Sequence, residues 1–253
     1  MLLAIDIGNS AIKFGVFDGE VLLSKFSIPN KRNYTADDLV QATASSVDYH
    51  FESAIACSVV PQVDQAVFDF VIRQFGLEIL FLDNAFDFGL TVKYESVSTL
   101  GTDRLVNAFA AAAKYGTPLI VCSLGTATTI DVVNAENEYL GGVIAPGISA
   151  MAEALHLLAA KLPRAELKRP EKVIGTSTIT SLESGIFYGY ASLVDGLVGR
   201  VSAEIDLTSP PKVIATGGVA PLMFSVCESI DINDEDLLLD GLRRIFDQTP
   251  REA

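Results

Sequence analysis

The sequence predicts an α/β protein built from two similar halves. Three observations support this: short apolar runs alternate with amphipathic segments, glycine-containing turns separate them, and one strand–turn–strand pattern occurs twice. The chain has 253 residues, which suits one large domain or two small ones, and 49% of them are hydrophobic. This composition is typical of a folded enzyme and excludes a disordered chain.

The first half is predicted to alternate between strands and helices. Residues 2–28 predict a meander of three strands, because Gly, Asn and Asp interrupt the apolar runs. A helix is expected over residues 35–48, where Thr35 and Asp38 have the spacing of a capping pair. The remaining elements follow in order: a buried strand at 53–60, an amphipathic helix at 63–76, a strand at 77–83 and a helix at 102–115.

The second half repeats the opening pattern when residue n is placed against residue n+117. This offset matches Leu2 with Leu119, Asp6 with Ser123, Gly8 with Gly125 and Val16 with Val133. The repeat predicts an N-terminal domain over residues 1–117 and a C-terminal domain over residues 118–253. A helix after Pro146, a long helix from about Thr178 and a strand at 212–218 are expected in the second domain.

Charge and cysteine usage restrict the partners and the compartment. The net charge of −14 disfavours nucleic acid and anionic membranes, and no apolar run is long enough to span a bilayer. Cys57, Cys122 and Cys227 are too far apart in sequence for a metal-binding motif and are expected to be buried thiols. The N-terminus lacks the basic region of a secretion signal, so we expect a cytoplasmic protein.

The segment DIGNS, residues 6–10, has the features of a phosphate-binding turn. Gly8, Asn9 and Ser10 form the predicted turn, whose backbone N–H groups can face a phosphate. Asp6 would hold Mg2+ directly or through water, and Lys13 would neutralise phosphate charge. The alternative for this motif alone is an ordinary hairpin with a solvated aspartate.

Three glycine motifs lie in an order that is more specific than any one of them. The turns at Gly8 and Gly125 could hold the phosphates of a nucleotide, and the pair Gly217–Gly218 could pass close to an adenine or ribose. This trio resembles the superfamily of acetate kinase, sugar kinases, Hsp70 and actin. The resemblance implies two duplicated RNase H-like domains with ATP in a cleft between them.

Four motifs together resemble the type III pantothenate kinase family over nearly the whole chain. They are DIGNS at 6–10, GTDR at 101–104, GTATTID at 125–131 and GGVIAPG at 141–147. The resemblance implies ATP-dependent phosphorylation of pantothenate to 4'-phosphopantothenate, the first step of coenzyme A biosynthesis, by a homodimer. A helix face bearing Met151, Leu155 and Leu158 is a candidate for the dimer interface, with burial inside the monomer as the alternative.

The resemblance also assigns roles to individual residues. It implies that Asp103 is the base that accepts the hydroxyl proton and that Gly101, Thr102, Asp103 and Arg104 line the substrate pocket. By their position alone, Asp103 and Arg104 could instead be a capping aspartate and a surface arginine.

Two further residues match the family's substrate pocket. Tyr94 matches a pocket tyrosine, with a half-buried aromatic as its alternative. Thr178 matches a threonine that contacts pantothenate, and N-capping of the following helix explains it equally well.

Ser123 departs from the family pattern. An aspartate normally stands at this position, two residues before Gly125, and it is associated with a monovalent cation, K+ or NH4+, that balances the charge of ATP. A serine supplies no negative charge, so the cation requirement is expected to be altered or the activity weakened. Thr126 is retained and can still donate a hydrogen bond to a phosphate.

Two other functions remain open from the sequence. One is a kinase acting on another small hydroxy acid, and the other is a kinase-like protein of reduced activity that serves as a regulatory accessory factor. The acidic composition argues against direct DNA binding, and the presence of Asp6, Asp103 and Arg104 argues for catalysis.

Overall fold

The computed structural model describes residues 1–46, 49–159, 162–205 and 210–249. Contacts divide the chain into two compact units. The first comprises Met1–Gly89, Glu95–Ala110 and Asp236–Ala253, and the second comprises Leu90–Tyr94 and Ala111–Glu235. The sequence repeat predicts domains 1–117 and 118–253, and the boundary between them stays a prediction.

Each half of the described chain contains a run of three consecutive strands, and helices separate most of the other strands. In order, the elements are β1 (Leu2–Ile7), β2 (Ala11–Asp18), β3 (Val21–Pro29), α1 (Ala36–Thr43), β4 (Ser53–Ser58), α2 (Pro61–Phe75), β5 (Ile79–Leu82), β6 (Thr91–Val92), α3 (Thr102–Tyr115), β7 (Leu119–Leu124), β8 (Ala127–Val133), β9 (Glu138–Pro146), α4 (Ile148–Leu158), α5 (Thr178–Glu204), β10 (Lys212–Thr216), α6 (Ala220–Phe224), β11 (Ile232–Asn233) and α7 (Leu237–Gln248).

The helix ends of the first unit follow local sequence signals. Thr35 caps α1, with its hydroxyl accepting from the Asp38 N–H while the Asp38 carboxylate accepts from the Thr35 backbone. The helix ends at Thr43, earlier than the predicted residue 48, and residues 47 and 48 lie outside the described chain. Helix α2 ends at Gly76, whose φ of 70° is the left-handed conformation that glycine adopts without strain.

The two units contain sheets of the same topology. The first sheet has the order β3-β2-β1-β4-β5, and the second has β11-β10-β7-β8-β9-β6, so β7 to β11 repeat the arrangement of β1 to β5. In each, an antiparallel meander is extended on one side by parallel strands. The predicted α/β class with two similar halves is confirmed.

The register corrects one detail of the predicted repeat. Asp6 lies opposite Lys13 in the first hairpin, whereas Ser123 lies opposite Thr129 in the second. The second turn is therefore one residue shorter, and beyond it the offset becomes 116, so Val16 corresponds to Val132 and the predicted match with Val133 is wrong. The β-bulges support the corrected offset, because they lie between residues 16 and 17 and between residues 132 and 133.

The last helix, α7, completes the core of the first unit. Its Leu237, Leu242 and Ile245 are buried, and its packing depends on Gly241, where a Cβ would come within 2.9 Å of Val106 and Ala110 side-chain atoms. The sequence analysis did not predict this helix. Within the described residues, no helix is both long and apolar enough to cross a membrane.

Candidate functional site

The first hairpin turn, at residues 8–10, lies at the end of a fully buried strand. The Gly8 N–H donates to the Ala11 carbonyl at 3.0 Å, which closes the turn, while Asn9 and Ser10 are exposed. A Cβ on Gly8 would lie 3.2 Å from the Ala11 oxygen, so any larger residue would crowd the turn. The structure therefore presents a tight, solvent-facing turn where the sequence predicted one.

A buried carboxylate and a cation lie behind this turn. Asp6 is only 7% exposed, and the Lys13 Nζ lies 3.5 Å from its Oδ2, since the two residues face each other across β1 and β2. Burial raises the pKa of Asp6, and the charge and hydrogen bond of Lys13 partly oppose that rise. Lys13 keeps 40% of its side chain exposed, so its charge can act on a ligand as well as on Asp6.

The GTDR segment forms the start of α3. Asp103 is half-buried in the first turn of the helix, and its Oδ1 accepts a hydrogen bond from the Arg104 N–H at 2.9 Å. A Cβ on Gly101 would lie 2.5 Å from that same Oδ1, so the glycine makes room for the carboxylate. Arg104 is only 6% exposed, and the alternative of a surface arginine is therefore wrong.

Cys57 is a buried thiol beside Asp6. It is fully buried on β4 and lies opposite Asp6 in the register of the sheet. Burial raises the pKa of the Cys57 thiol well above its usual value, and the negative charges of Asp6 and Asp103 raise it further. The sequence analysis predicted a buried thiol here but had no signal for its neighbours.

The second hairpin turn, at residues 125–126, has a similar backbone arrangement. The Gly125 N–H donates to the Ala127 carbonyl at 3.1 Å, and the Gly147 N–H donates to the Thr126 carbonyl at 3.2 Å. A Cβ on Gly147 would overlap the carbonyl oxygens of Gly125 and Thr126, so this position requires glycine. Thr126 is exposed at the turn.

The pair Gly217–Gly218 packs beside the same turn. Gly217 has a φ of 96°, and a Cβ there would lie 2.6 Å from the Leu124 carbonyl oxygen. The Val219 N–H donates to that oxygen at 3.2 Å. Close packing against β7 thus explains Gly217. Gly218 is exposed with open space around it, and a role of the pair near an adenine or ribose stays a prediction.

Ser123 occupies the position that matches Asp6 in the first unit. It is half-buried, and its neighbours across the sheet are Thr129 on β8 and Thr216 on β10. The equivalent neighbours of Asp6 are Lys13 and Cys57. Ser123 and its two direct neighbours are therefore all hydroxyl side chains, and none of the three carries a formal charge.

Tyr94 and Thr178, the remaining predicted substrate contacts, belong to the second unit. The Tyr94 ring packs on Gly141, whose Cβ would lie 3.4 Å from a ring carbon, and the ring is half-buried. Thr178 is exposed at the first position of α5, one residue after Ser177, whose hydroxyl caps the helix. N-capping by Thr178 is therefore wrong as an explanation, and its side chain is exposed in an open groove beside Leu155.

The donor chemistry around Asp6 fits Mg2+. Magnesium is commonly held by one or two carboxylates, with phosphate oxygens and waters completing its shell. Among the described residues no group of three or more His, Cys, Asp or Glu is arranged to hold a metal. A metal that arrives with the nucleotide requires only the carboxylate of Asp6, and its charge would oppose the effect of burial on that group's pKa.

Comparison with known proteins identifies the family. Residues 2–200 match the family model of type III pantothenate kinase. The chain belongs to the type III pantothenate kinase family. One relative bearing that name, from Halalkalibacterium halodurans, is 40% identical over 252 residues, which cover 97% of this chain and 98% of the relative. Membership of this pantothenate kinase family confirms the resemblance drawn from the four sequence motifs.

Solved structures confirm the predicted fold class of duplicated α/β domains. A Campylobacter jejuni protein assigned to the Baf family of transcriptional activators has a TM-score of 0.61 and 20% identity, covering 97% of this chain and 98% of its own. The inorganic polyphosphate/ATP-glucomannokinase of Arthrobacter sp. strain KM has a TM-score of 0.50 and 14% identity, covering 98% and 99%. At these identities the likeness shows the fold alone, so it assigns no transcriptional role to this pantothenate kinase family member.

Proposed function

We propose that this chain transfers the terminal phosphate of ATP to the primary hydroxyl of pantothenate, the first step of coenzyme A biosynthesis. The observations that carry the proposal are the buried carboxylate of Asp6, which pairs with Lys13 behind an exposed glycine turn, and the carboxylate of Asp103, which is held at the start of α3. Phosphoryl transfer needs mainly positioning and charge neutralisation, with one base for the hydroxyl proton. Family membership supplies the substrate.

Asp103 is the base in this proposal. Its half-buried carboxylate is held at the start of α3 by the Arg104 N–H, and the absence of a side chain at Gly101 leaves it space. A carboxylate with a fixed orientation can align the substrate hydroxyl and accept its proton as the bond to phosphorus forms. The phosphate then passes directly from ATP to the hydroxyl oxygen.

The two hairpin turns bind the phosphates. In the first unit, the exposed turn formed by Gly8, Asn9 and Ser10 offers backbone donors, and Lys13 supplies positive charge. In the second unit, the turn at Gly125 leaves Thr126 exposed, and the Thr126 hydroxyl is the proposed donor to a phosphate. When bound, Mg2+ neutralises phosphate charge, and Asp6 holds it directly or through water.

The substrate pocket includes residues from the predicted set. Thr102 is buried next to Asp103, Tyr94 is half-buried, and Thr178 is exposed. Arg104 has a guanidinium that suits either the carboxylate of pantothenate or an oxygen of the transferred phosphate. Kinetics of Arg104→Lys with pantothenate and with its amide would separate these roles, because only a carboxylate-binding arginine discriminates between the two acceptors.

A homodimer in the cytoplasm is part of the proposal. Met151 packs against the core of the second unit, whereas Leu155 and Leu158 are 42% and 87% exposed, so only these two members of the predicted face are available to a partner. Burying exposed leucines across a two-fold axis would remove them from water. Sedimentation should show twice the 27.0 kDa chain mass. Leu158→Glu should weaken the dimer, and Val21→Glu, which changes an exposed residue of the first unit, should not.

The proposal is tested by identifying the product. The purified protein with ATP, Mg2+ and pantothenate should yield ADP and phosphopantothenate in equal amounts, which 31P NMR and mass spectrometry resolve. A panel of other small hydroxy acids tests whether the acceptor is specific. Formation of ADP with inorganic phosphate, or faster transfer to another hydroxy acid, would contradict the proposal.

A further inference from the structure

Asn30, the residue that follows β3, contacts the first hairpin turn in two ways. Its backbone N–H donates to the Ser10 carbonyl at 2.9 Å, and its side-chain Nδ2 donates to the Gly8 carbonyl at 2.7 Å. These two acceptors lie at either end of the turn. Asn30 therefore fixes the direction of two of the carbonyl groups in this segment, and it does so from the position just after β3.

The bond to Gly8 also sets the direction of a backbone donor. In a trans peptide, the carbonyl of one residue and the N–H of the next point in opposite directions. The only cis peptide among the described residues joins Thr117 and Pro118, so the bond between Gly8 and Asn9 is trans. Because the Gly8 carbonyl points toward Asn30, the Asn9 N–H points away from it, on an exposed turn.

The buried side-chain oxygen of Asn30 lowers the stability of the fold. Its Oδ1 is shielded from solvent and has no hydrogen-bond partner among the described residues. Exchanging the amide nitrogen and oxygen would place an oxygen against the Gly8 carbonyl, so the observed orientation is the favourable one. A buried acceptor without a partner lowers stability. Packing alone would be served better by an apolar side chain of similar size.

We propose that Asn30 is a positioning residue that orients the backbone donors of the phosphate-binding turn. Its amide holds the Gly8 carbonyl back, which keeps the Asn9 N–H directed outward and keeps a carbonyl oxygen from turning toward the phosphates. This inference rests on the proposed role of the turn in binding ATP. Asn30 itself contacts no substrate and acts through the turn.

The test is the kinetics and stability of Asn30→Leu, which keeps the backbone bond and the approximate side-chain volume. Loss of one hydrogen bond should raise the KM for MgATP by about threefold to tenfold, with the KM for pantothenate unchanged. The melting temperature without ligand should change little, because removal of the unpartnered oxygen offsets loss of the bond to the Gly8 carbonyl. Asn30→Ala, which lets water reach the Gly8 carbonyl, should raise the KM for MgATP similarly.

Asn134→Leu is the matched control. Asn134 anchors the turn after β8, at the far end of that strand from residues 125–126, and its Nδ2 donates to Glu138 while its Oδ1 accepts from the Glu136 and Glu138 N–H groups. This variant should lower the melting temperature and leave the KM for MgATP unchanged. Such a result would show that losing an anchoring asparagine does not by itself impair nucleotide use.

Asp6→Asn, measured alongside, separates the proposed role of Asn30 from the proposed role of the turn in phosphate binding. If Asp6→Asn weakens MgATP use and both Asn30 variants leave its KM within twofold, the proposal for Asn30 is overturned and the phosphate role of the turn stands. If Asp6→Asn also has no effect on MgATP, the turn is not the phosphate site and both ideas are overturned. A drop in melting temperature with equal rises in both KM values would mean that Asn30 is only structural.

Discussion

The two hairpin turns share a backbone scaffold and differ in charge. The carbonyl that ends the first strand accepts from a later loop in both cases, from the Val59 N–H to Ile7 at 3.1 Å and from the Val219 N–H to Leu124 at 3.2 Å. Asp6, beside the first turn, lies next to an ammonium and a buried thiol. Its counterpart in the second unit lies between two threonines. The two copies keep the same scaffold, and the positions of Asp6 and Lys13 in the first are occupied by Ser123 and Thr129 in the second.

The residue that holds each turn also differs. Asn30 and Gly147 occupy equivalent places and make the same backbone bond, to Ser10 and Thr126 respectively. The asparagine adds a side-chain bond to the Gly8 carbonyl, whereas the glycine lets the backbone itself come close to the turn. The first turn therefore depends on a side chain and the second on the absence of one.

The largest expected effect comes from the first unit. Asp103→Asn should retain ATP binding and lose about 10^2-fold to 10^4-fold in kcat, because removing a general base costs about that much. Calorimetry with ATP and turnover with saturating substrates measure the two quantities separately. Near-normal turnover in this variant would show that Asp103 is not the base. The acidic residues of the first unit would then not explain catalysis.

Gly147→Ala tests the second turn. The added Cβ would overlap two carbonyl oxygens, so the turn must shift, and we expect a loss of about 1–3 kcal/mol of stability with roughly a tenfold rise in the KM for MgATP. Gly199→Ala, at an exposed and uncrowded position in α5, is the control and should raise the melting temperature. The same melting temperature change and the same KM for MgATP in both variants would show that the second turn tolerates a side chain at residue 147.

A smaller effect is expected from restoring charge to the second unit. Ser123→Asp should create or strengthen activation by K+ by a few-fold, because a hard cation prefers an anionic oxygen. Without K+, the same variant should bind ATP more weakly than the unmodified protein, since an uncompensated carboxylate repels phosphate. Replacing K+ by a bulky organic cation at constant ionic strength tests both. Strong K+ activation of the unmodified protein would mean that other oxygens complete a cation site.

Local signals in the sequence were sufficient for much of the fold and for the glycine turns. The capping pair of α1, the Gly76 terminus of α2 and the repeated meander all depend on neighbouring residues, so they are visible without the structure. The position of Cys57 beside Asp6 depends on the pairing of β1 with β4, which no local pattern specifies. Its proximity to the acidic residues could not have been predicted for that reason.

Other features were missed because they depend on packing at long range. Helix α7 has a clear apolar face, but its place against β1 of the first sheet requires contact between the two ends of the chain. No local sequence pattern singles out Asn30, and only the hydrogen bonds reveal its relation to the turn. Burial of Arg104 likewise depends on where α3 packs, so its local sequence alone did not exclude a place at the surface.

A side-by-side measurement of Asp6→Asn and Ser123→Ala tests most directly whether the first unit supplies the charged chemistry. The two residues are equivalent by register, and each change removes a side-chain oxygen function with little change in volume. We expect Asp6→Asn to lower kcat/KM for MgATP by about 10^2-fold or more and Ser123→Ala to change it by less than about threefold, since charge-assisted contacts in an active site are worth far more than neutral ones. Equal losses in the two variants would contradict the claim that the first unit supplies the charged chemistry.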